Sequence, residues 1–252
     1  MLQFNDIVFG PIVSRRLGTS LGINILPSRG KLCNFDCIYC ECGWNADGAD
    51  DKKFPDLTLV VESMRERISR LANEGISIDS ITFSGNGEPT INPDFPKIID
   101  EVLKLRDEFY PSAKISVLSN ATMAAREDVF QAVRKIDNPI MKIDACCDDL
   151  AGKINKPVGT YSVEETVRSL ERFGGDFILQ TMFLKSREFD SAEPGALDGW
   201  MNIVRHLKPR EIMVYTIDRQ TPDGTLEKYS EEQMAALVQP LINEGFKIQI
   251  KG

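Results

Sequence analysis

Short apolar segments alternate along this chain with longer segments in which apolar residues recur every three or four positions. The short segments are typical of β-strands buried on both faces, and the longer segments are typical of amphipathic helices. Strands are predicted over residues 21–26, 80–84, 114–119, 140–145, 177–183 and 211–218. Helices are predicted near residues 57–73, 93–109, 126–136, 162–173, 198–207 and 230–243. The alternation predicts an α/β fold with a parallel sheet, in which six β/α units form an incomplete barrel.

Local signals refine the ends of these elements. Asn92 and Pro93 are typical of a helix N-cap followed by a proline in the first turn, and they predict that the second helix begins at Pro93. Ser230 and Gln233 have the spacing of a capping box at the start of the last helix. After that helix, apolar and polar residues alternate over 246–250, which predicts a short edge strand.

Polar residues share one face near the carboxyl ends of several predicted strands. Side chains alternate along a strand, so Lys142 and Asp144 face one side together, as do Ser116 and Asn120. Gln180 is the polar residue of its strand. A parallel sheet covered by helices is usually apolar on both faces, and barrel active sites lie at the carboxyl ends of the strands. The pattern therefore predicts a hydrated, ligand-holding cavity; the alternative is that these side chains merely reach solvent.

The length of 252 residues is ordinary for one α/β barrel. We expect a single domain over residues 1–252, with its core at about 18–220 and a C-terminal helix and strand at 230–250. The chain carries 30 basic and 38 acidic residues, and its net charge of −8 disfavours binding to nucleic acid or to anionic membranes. A local basic patch at residues 14–17 is a candidate anion site, with pairing to acidic neighbours as the alternative.

The chain carries no signal for export or membrane insertion. It contains no run of about 18 apolar residues, and its first residues lack the basic and apolar parts of a signal peptide. Its six cysteines, three of them clustered, do not resemble a secreted disulfide framework. We therefore expect a cytoplasmic protein in a reducing compartment.

Cys33, Cys37 and Cys40 lie within eight residues in the spacing C-x3-C-x2-C. Closed zinc sites and ordinary iron–sulfur sites take four protein ligands, so a group of three can leave one metal position open for chemistry. Cys42 lies two residues further on, in a glycine-bearing segment that cannot easily turn it back onto the same cluster. Two alternatives remain at this point, a structural zinc site completed by a distant cysteine and three free thiols.

The cysteine spacing, with the aromatic Tyr39 just before the last cysteine, resembles the signature of radical S-adenosylmethionine (radical SAM) enzymes. The resemblance implies that Cys33, Cys37 and Cys40 hold a [4Fe–4S] cluster, whose fourth iron is chelated by the amino and carboxylate groups of SAM. It places Tyr39 among the cofactor-binding residues. It also implies that the incomplete barrel is the partial (β/α)6 TIM-like barrel of the radical SAM type.

Residues 83–90 resemble the Gly-Gly-Glu-Pro motif of the same family, which contacts the amino group of SAM. The resemblance implies that Gly85, Asn86, Gly87 and Glu88 bind the cofactor. Glycines at the end of a strand also let backbone approach a ligand closely.

Further matches follow along the chain. Ser119 and Asn120, at the end of the third predicted strand, correspond to the position where the family binds the SAM ribose and carboxylate. Gln180 matches a cofactor-binding position on the fifth strand, and residues 214–217 match the strand that flanks the adenine. The resemblance covers about the first 220 residues.

Residues 10–24, followed by Lys31 to Asn34, are similar to a narrower branch that contains the tRNA wyosine-synthesis enzymes, which are Fe–S oxidoreductases. Those enzymes build a tricyclic base on tRNA from N-methylguanosine and pyruvate. This chain is acidic and short and shows no second cysteine cluster like theirs. The branch therefore does not identify the substrate.

The resemblance implies that a reduced cluster cleaves SAM to methionine and a 5′-deoxyadenosyl radical, which abstracts hydrogen from a small or nucleoside-like substrate. The electron must come from an external donor such as flavodoxin or ferredoxin, because nothing in the sequence resembles a flavodoxin or a nicotinamide-binding module. The alternatives are tRNA-base modification, activation of a glycyl-radical enzyme, and a non-catalytic Fe–S electron carrier. An electron carrier needs neither a polar barrel interior nor the 85–89 loop.

Lys142, Asp144 and Cys146 are the candidate residues for substrate chemistry at the end of the fourth predicted strand. If the alternation of that strand continues, Cys146 faces the cavity with Lys142 and Asp144, and Cys147 faces outward. A thiol in that position could donate a hydrogen atom to a substrate radical or bind a substrate or a second metal. The alternative is a pair of inert thiols that fill space between helix and strand.

Overall fold

The computed structural model describes residues 3–14, 16–47 and 52–252. The strands in these ranges are β1 (Val8–Ser14), β2 (Gly18–Ile23), β3 (Ser80–Phe83), β4 (Lys114–Ser119), β5 (Asn138–Lys142), β6 (Ile178–Met182), β7 (Leu184–Lys185), β8 (Glu211–Tyr215), β9 (Glu227–Lys228) and β10 (Ile248–Lys251). The helices are α1 (Leu57–Asn73), α2 (Phe95–Phe109), α3 (Glu127–Val133), α4 (Asp148–Ile154), α5 (Val163–Glu171), α6 (Pro194–Leu207) and α7 (Glu231–Asn243).

A curled sheet with strand order β1-β2-β3-β4-β5-β6-β8-β10 forms the centre of the fold. Each neighbouring pair from β2 to β10 is parallel, and β1 is antiparallel to β2. The sheet is a half-barrel, so the predicted α/β partial TIM barrel is confirmed. All six predicted strands are present, as β2 to β6 and β8, and the predicted edge strand is β10.

Helices cover the outer face of the sheet. Alternate residues of the central strands, such as Leu21, Ile81 and Ile115, are fully buried in one apolar cluster with the helices. The capping box at Ser230 and Gln233 is confirmed, because each side chain accepts a hydrogen bond from the backbone N–H of the other residue. No helix in the described ranges is both long and apolar enough to cross a membrane.

Several predicted boundaries are wrong: β2 spans Gly18–Ile23 rather than 21–26, β8 ends at Tyr215 rather than 218, and α6 begins at Pro194 rather than 198. In two further cases a polar side chain takes over a backbone hydrogen bond. Helix α2 begins at Phe95 rather than Pro93, because Asn92 accepts from the backbone N–H of Asp94 at 2.8 Å and donates to the carbonyl of Ile25 at 2.6 Å. Strand β5 ends at Lys142, because the carboxylate of Asp144 accepts the backbone N–H of Met182 at 2.9 Å and so replaces the next backbone partner of β6. Strands β1, β7 and β9 and helix α4 were not predicted.

The inner face of the half-barrel is partly filled near the amino ends of β2, β3 and β4. The hydroxyls of Ser20, Ser80, Thr82 and Ser116 hydrogen-bond to one another at 2.8–3.0 Å, and these residues are at most 4% exposed. This lower part of the predicted polar stripe is therefore packed rather than hydrated. The cavity begins above it, towards the carboxyl ends of the strands.

The turn between β1 and β2 fills the inner face of the half-barrel near the amino ends of β5, β6 and β8. Leu17 packs against Ile140, Ile178 and Met213, which point away from the helices, since their strand neighbours Met141, Leu179 and Ile212 lie in the helix-facing cluster. The predicted basic patch at 14–17 lies in this turn. Arg15 is outside the described residues. Arg16 is part of the turn, and it lines the cavity inside the half-barrel.

Candidate active site

A cavity of about 280 Å³ lies at the carboxyl ends of the parallel strands, a size close to the lower end for small-molecule sites (~300–1,000 Å³). Most of the residues predicted for the site line it. They are Cys33, Cys37, Tyr39, Cys40, Gly87, Glu88, Ser119, Asn120, Lys142 and Gln180. Residues that follow different parallel strands, from the loop after β2 to the segment after β8, thus line one cavity, as the strand polarity predicts.

The cysteine loop (residues 31–45) follows β2 and docks on the loop after β3. The backbone N–H of Leu32 donates to the carbonyl of Asn86 at 2.8 Å, and the N–H of Glu88 donates to the carbonyl of Leu32 at 3.3 Å. Buried Lys31 folds the loop on itself by donating to Asp36 at 2.9 Å and to the carbonyl of Gly43 at 3.0 Å. These bonds hold the three cysteines against one wall of the cavity.

Gly87 is required by this docking. Its φ is +133°, and a Cβ at this position would lie 1.9 Å from the Leu32 carbonyl oxygen and 3.3 Å from the Cys33 Cβ. The sequence predicted that the glycine lets backbone approach a ligand. The structure adds a different reason, since Gly87 lines the cavity but its closest approach is to the cysteine loop.

Each predicted cluster cysteine has a hydrogen-bond partner at sulfur. Cys33 Sγ accepts from the backbone N–H of Phe35 at 3.4 Å and from the Asn120 side chain at 3.8 Å, and Cys37 Sγ accepts from the Asn155 side chain at 3.5 Å. The partner of Cys40 is the Cys42 thiol. Hydrogen-bond donors to thiolates stabilise the charged form of the cysteines and change the reduction potential of a cluster that the sulfurs hold.

The thiols differ in acidity for identifiable reasons. Burial and the nearby Glu88 carboxylate raise the pKa of Cys33, and burial raises the pKa of Cys37 to about 11. The hydrogen bond from Cys42 lowers the pKa of Cys40 to about 6, and the charge of Lys31 acts in the same direction. Metal binding must therefore displace protons from Cys33 and Cys37, whose pKa values are raised.

Cys42 lies beside Cys40 but does not line the cavity. Its thiol has a single proton, which it donates either to Cys40 or to the carbonyl of Gly85, 3.3 Å away on the docked loop. Gly85 itself does not line the cavity, and a Cβ there would lie 2.4 Å from the side chain of Asn24. The interpretation of Cys42 as a cysteine outside the cluster stays a prediction.

Glu88 joins the glycine loop to the end of β4. Its Oε1 accepts from the Thr90 N–H at 3.0 Å, the Thr90 hydroxyl at 2.5 Å and the Ser119 hydroxyl at 2.9 Å, and its Oε2 accepts from the Asn120 N–H at 2.6 Å. Burial raises the pKa of Glu88, and these four hydrogen bonds oppose that shift. The Asn120 side chain in turn donates to Asn34 at 2.7 Å, so β4 is tied to the cysteine loop. We call Cys33, Gly87, Glu88, Ser119 and Asn120 the cysteine wall.

Asp144 lies behind Tyr39 rather than in the cavity. One of its oxygens accepts from the Tyr39 hydroxyl and from Asn155 at 2.8 Å, and the other accepts the N–H of Met182. Its side chain has no exposed surface, and it does not line the cavity. Asp144 therefore positions Tyr39 against the sheet, and the structure does not bring it to the cavity as sequence alternation predicted.

A second group of cavity residues carries positive charge, and its Lys142 lies 4.9 Å from the centre of the Tyr39 ring. Lys142 donates to the hydroxyl of Tyr215, and its Nζ lies 3.7 Å from Asp144, whose carboxylate raises the pKa of Lys142 against the effect of burial. Arg16 lies over the ring of Tyr215, with its guanidinium carbon 4.8 Å from the ring centre. We call Arg16, Lys142, Gln180 and Tyr215 the cationic wall. The position of Arg16 was signalled only by the basic patch at residues 14–17.

Two further predicted site residues lie elsewhere. Asn86 binds the N-terminal segment, with its side chain donating to the carbonyls of Phe4 at 2.8 Å and Pro27 at 2.9 Å. Cys146 packs against helix α6, where a Cβ added to Gly199 would lie 2.8 Å from the Cβ of Cys146. The expectation that Cys146 faces the cavity is wrong, because β5 has already ended at Lys142 and its alternation does not continue.

The donor set fits an iron–sulfur cluster that leaves one position open. The three sulfurs line one wall and receive N–H or S–H donors, and no histidine lies in the cavity lining. Among residues 3–14, 16–47 and 52–252, no three Cys, His, Asp or Glu side chains converge as they would on a single metal ion. The buried Gln180 Nε2 faces the same cavity without a hydrogen-bond partner, as expected where a polar ligand binds.

Comparison with known proteins gives consistent matches. The sequence model of the Radical SAM superfamily matches residues 28–180. A UPF0026 protein of Methanocaldococcus jannaschii is 34% identical over 188 residues, which cover 73% of this chain and 56% of that protein. A radical SAM methyltransferase from Sphaerobacter thermophilus aligns with a TM-score of 0.68 at 15% identity, covering 92% of this chain and 65% of that chain.

SuiB of Streptococcus suis, solved with S-adenosylmethionine bound, aligns with a TM-score of 0.63 at 13% identity, covering 88% of this chain and 49% of that chain. At such identities these structures share the fold with this chain. The chain spans only part of its curated relatives: 56% of the length of two of them and 32% of a third.

Proposed function

Because this chain belongs to the radical SAM superfamily, we propose that it abstracts hydrogen from a small or nucleoside-like substrate held in the cavity. The superfamily uses a [4Fe–4S] cluster and SAM, which together supply an electron-driven cleavage of SAM to methionine and a 5′-deoxyadenosyl radical. One observation carries the proposal: a single cavity collects the three cysteines, the Gly87–Glu88 loop end, the end of β4 and Gln180.

Cys33, Cys37 and Cys40 would hold the cluster. Hydrogen bonds to their sulfurs raise a cluster potential and burial lowers it, within a range of ~−700 to +450 mV, and cleavage of a sulfonium needs the low end. The partial burial of Cys33 and Cys37 favours that low end, and the N–H donors at 3.4 and 3.5 Å from their sulfurs act in the opposite direction. Lys31 keeps the loop closed when the thiols lose their protons.

The cysteine wall would bind the methionine part of SAM. Glu88 Oε1 already accepts three hydrogen bonds, but Oε2 accepts only that of Asn120 and retains a lone pair for an ammonium group. Ser119 and Asn120 lie beside it for the ribose and carboxylate, and Tyr39 and Gln180 complete the cofactor-binding set. A carboxylate whose other bonds are already made is positioned before SAM arrives, which lowers the cost of binding.

The narrower similarity to the wyosine branch remains a proposal about ancestry. It rests on the sequence similarity of residues 10–24, a segment that contributes to β1 and β2. The net charge of −8 opposes a tRNA substrate, since phosphate contacts dominate nucleic-acid affinity. We propose that reducing equivalents come from an external one-electron donor such as flavodoxin or ferredoxin.

The test is anaerobic reconstitution followed by dithionite reduction with SAM. We expect about four irons and four sulfides per chain, and formation of 5′-deoxyadenosine and methionine measured by chromatography with mass detection. Cys37→Ala should lose both cluster and product, whereas Cys42→Ala should keep both. A complete, reducible cluster without SAM cleavage would favour the electron carrier. An equal requirement for Cys42 would contradict the three-cysteine site.

A further inference from the structure

Arg16 enters the cavity from the end opposite to the cysteine loop. Its neighbour Leu17 packs against Ile140 and Ile178. Those two residues precede Lys142 and Gln180 by two positions, so they form the next inward-facing layer towards the amino ends of the strands, about 7 Å lower. The cysteine loop leaves from the carboxyl end of β2. Arg16 therefore reaches the inner end of the cavity, whereas Lys142 lies 4.9 Å from the centre of the Tyr39 ring, which belongs to the cysteine loop.

Two polar atoms of the cationic wall are buried without partners. Arg16 Nη1 and Gln180 Nε2 both lack a hydrogen-bond partner among the described residues, and Gln180 is only 4% exposed. Both side chains line the cavity. A buried N–H without an acceptor costs about 1–3 kcal/mol, and more when the group is charged. Both atoms are donors, so a bound molecule that satisfies them must present acceptors.

The charges of the wall point to an anionic acceptor. Arg16 and Lys142 bring two positive charges to the ring of Tyr215, at 4.8 Å and 4.6 Å from its centre. The only carboxylate of the described residues beside Lys142 is Asp144, and both oxygens of Asp144 already accept hydrogen bonds from behind the cavity. One positive charge is thus left without a counter-charge.

The acidic side chains that line the cavity do not supply that counter-charge. Glu41 is paired with Arg219 at 2.6 Å near the outer opening, and Asp218 already has an interaction partner. Glu88 is on the cysteine wall, with four hydrogen bonds of its own. Arg16 has no ion pair with any described carboxylate, so its partner must come with a ligand.

We propose that the inner end of the cavity binds an oxyanion of the substrate, a carboxylate or a phosphate. Arg16 pairs with it through its guanidinium, Gln180 donates a neutral hydrogen bond, and Lys142 contributes the second charge. Guanidinium groups bind both oxyanions through two parallel hydrogen bonds. The inference rests on the proposed function, because it names the chemical class of the substrate that the radical attacks.

The carboxylate of SAM is a different source of the same chemistry. In this superfamily that carboxylate chelates the cluster, which places it at the cysteine loop, while Arg16 lies at the other end of the cavity. A substrate oxyanion at the inner end would hold the rest of the substrate between the cationic wall and SAM. This is the position in which a radical formed at the cysteine wall meets a C–H bond.

The test is calorimetric titration of two probes, inorganic phosphate and malonate, into the reconstituted full-length protein saturated with SAM. We expect one equivalent of at least one probe to bind, and the preferred probe distinguishes phosphate from carboxylate. Arg16→Gln should weaken that binding by about tenfold or more, and Gln180→Leu by less. Arg16→Lys should restore part of it. The affinity for SAM, measured separately, should stay within about twofold in the two Arg16 variants; Gln180→Leu also removes a proposed SAM contact and is therefore compared for probe binding only.

Arg168→Gln is the matched control, because Arg168 is exposed on α5 and pairs only with its helix neighbour Glu164. It removes the same charge and should leave probe binding unchanged. The inference is overturned if neither probe binds, if the control weakens binding as much as Arg16→Gln, or if Arg16→Gln weakens SAM as much as the probe. Failure of SAM cleavage in the wild type with intact probe binding would instead count against the proposed function.

Discussion

The two walls of the cavity differ in how their polar groups are satisfied. On the cysteine wall, Glu88 accepts four hydrogen bonds and Asn120 bonds to Asn34 and to Cys33. On the cationic wall, Arg16 and Gln180 keep buried donors without partners. One wall is complete before any ligand arrives, and the other is not.

This difference indicates how the two ligands are handled. A cofactor that is used with every turnover is bound by a wall whose geometry the fold itself determines, so little ordering is needed on binding. The cationic wall keeps unsatisfied donors that only the correct molecule pairs, and such sites discriminate strongly against molecules that leave the donors unpaired. Substitutions on the cysteine wall should therefore reduce stability and cofactor binding together, and substitution of Arg16 on the cationic wall should not.

Gly87→Ala should have the largest effect. The added Cβ would lie 1.9 Å from the Leu32 carbonyl oxygen, and the φ of +133° is unfavourable for any side chain, so the cysteine loop must separate from its support. We expect most of the iron and most of the SAM binding to be lost, as measured by iron content and equilibrium dialysis. The sequence resemblance assigns Gly87 to cofactor binding and gives it no part in supporting the cysteine loop.

Gly159→Ala is the control for Gly87→Ala. Gly159 also has a positive φ, +90°, but nothing lies within 4 Å of a Cβ there. Gly159→Ala should lose only about 1–3 kcal/mol of stability, because of backbone strain, and should keep its cluster. Normal iron content in Gly87→Ala would show that the contact with Leu32 does not support the cysteine loop.

Glu88→Gln should have an intermediate effect. An amide has one acceptor oxygen where the carboxylate has two, so at least one of the donors from Thr90, Ser119 or Asn120 is left without a partner, at a cost of about 1–3 kcal/mol. That corresponds to a fall in melting temperature of roughly 2–12 °C at this chain length. SAM binding should weaken while the cluster absorption is kept. Equal melting temperatures for Glu88→Gln and the exposed control Glu62→Gln would show that the wall is not built as described.

Cys146→Ala should have the smallest effect. Its thiol packs against Gly199 outside the cavity, so we expect a loss of stability of about 1 kcal/mol or less and no change in SAM cleavage. Exposed Cys147→Ala should have no measurable effect. A tenfold fall in substrate turnover for Cys146→Ala alone, with the cluster and SAM cleavage in the absence of substrate preserved, would return that thiol to the reaction.

Sequence periodicity and motif spacing predict most of the fold and of the cysteine wall. Strands buried on both faces have apolar runs that differ clearly from helical patterns, and the cluster cysteines lie close together in the chain. Strand alternation fails where a side chain replaces a backbone partner, as Asp144 does at the end of β5, and this one change moves both Asp144 and Cys146 out of the cavity.

The cationic wall is harder to predict, because it is made by contacts distant in sequence. Arg16 meets Tyr215 only because Leu17 of the hairpin fits the apolar lower layer of the barrel. A basic patch in a turn is visible in the sequence, but its burial is not. In the same way, the need for glycine at position 87 depends on where Leu32 lies.

The open position of the cluster is tested most directly by electron–nuclear double resonance on the reduced protein with labelled SAM. The label is ¹⁵N at the amino group in one sample and ¹⁷O at the carboxylate in another. If Cys33, Cys37 and Cys40 leave one iron free, both labels should couple to the cluster spin, in the wild type and in Cys42→Ala alike. Absence of coupling from both labels, with SAM bound at full occupancy, would contradict a three-cysteine site.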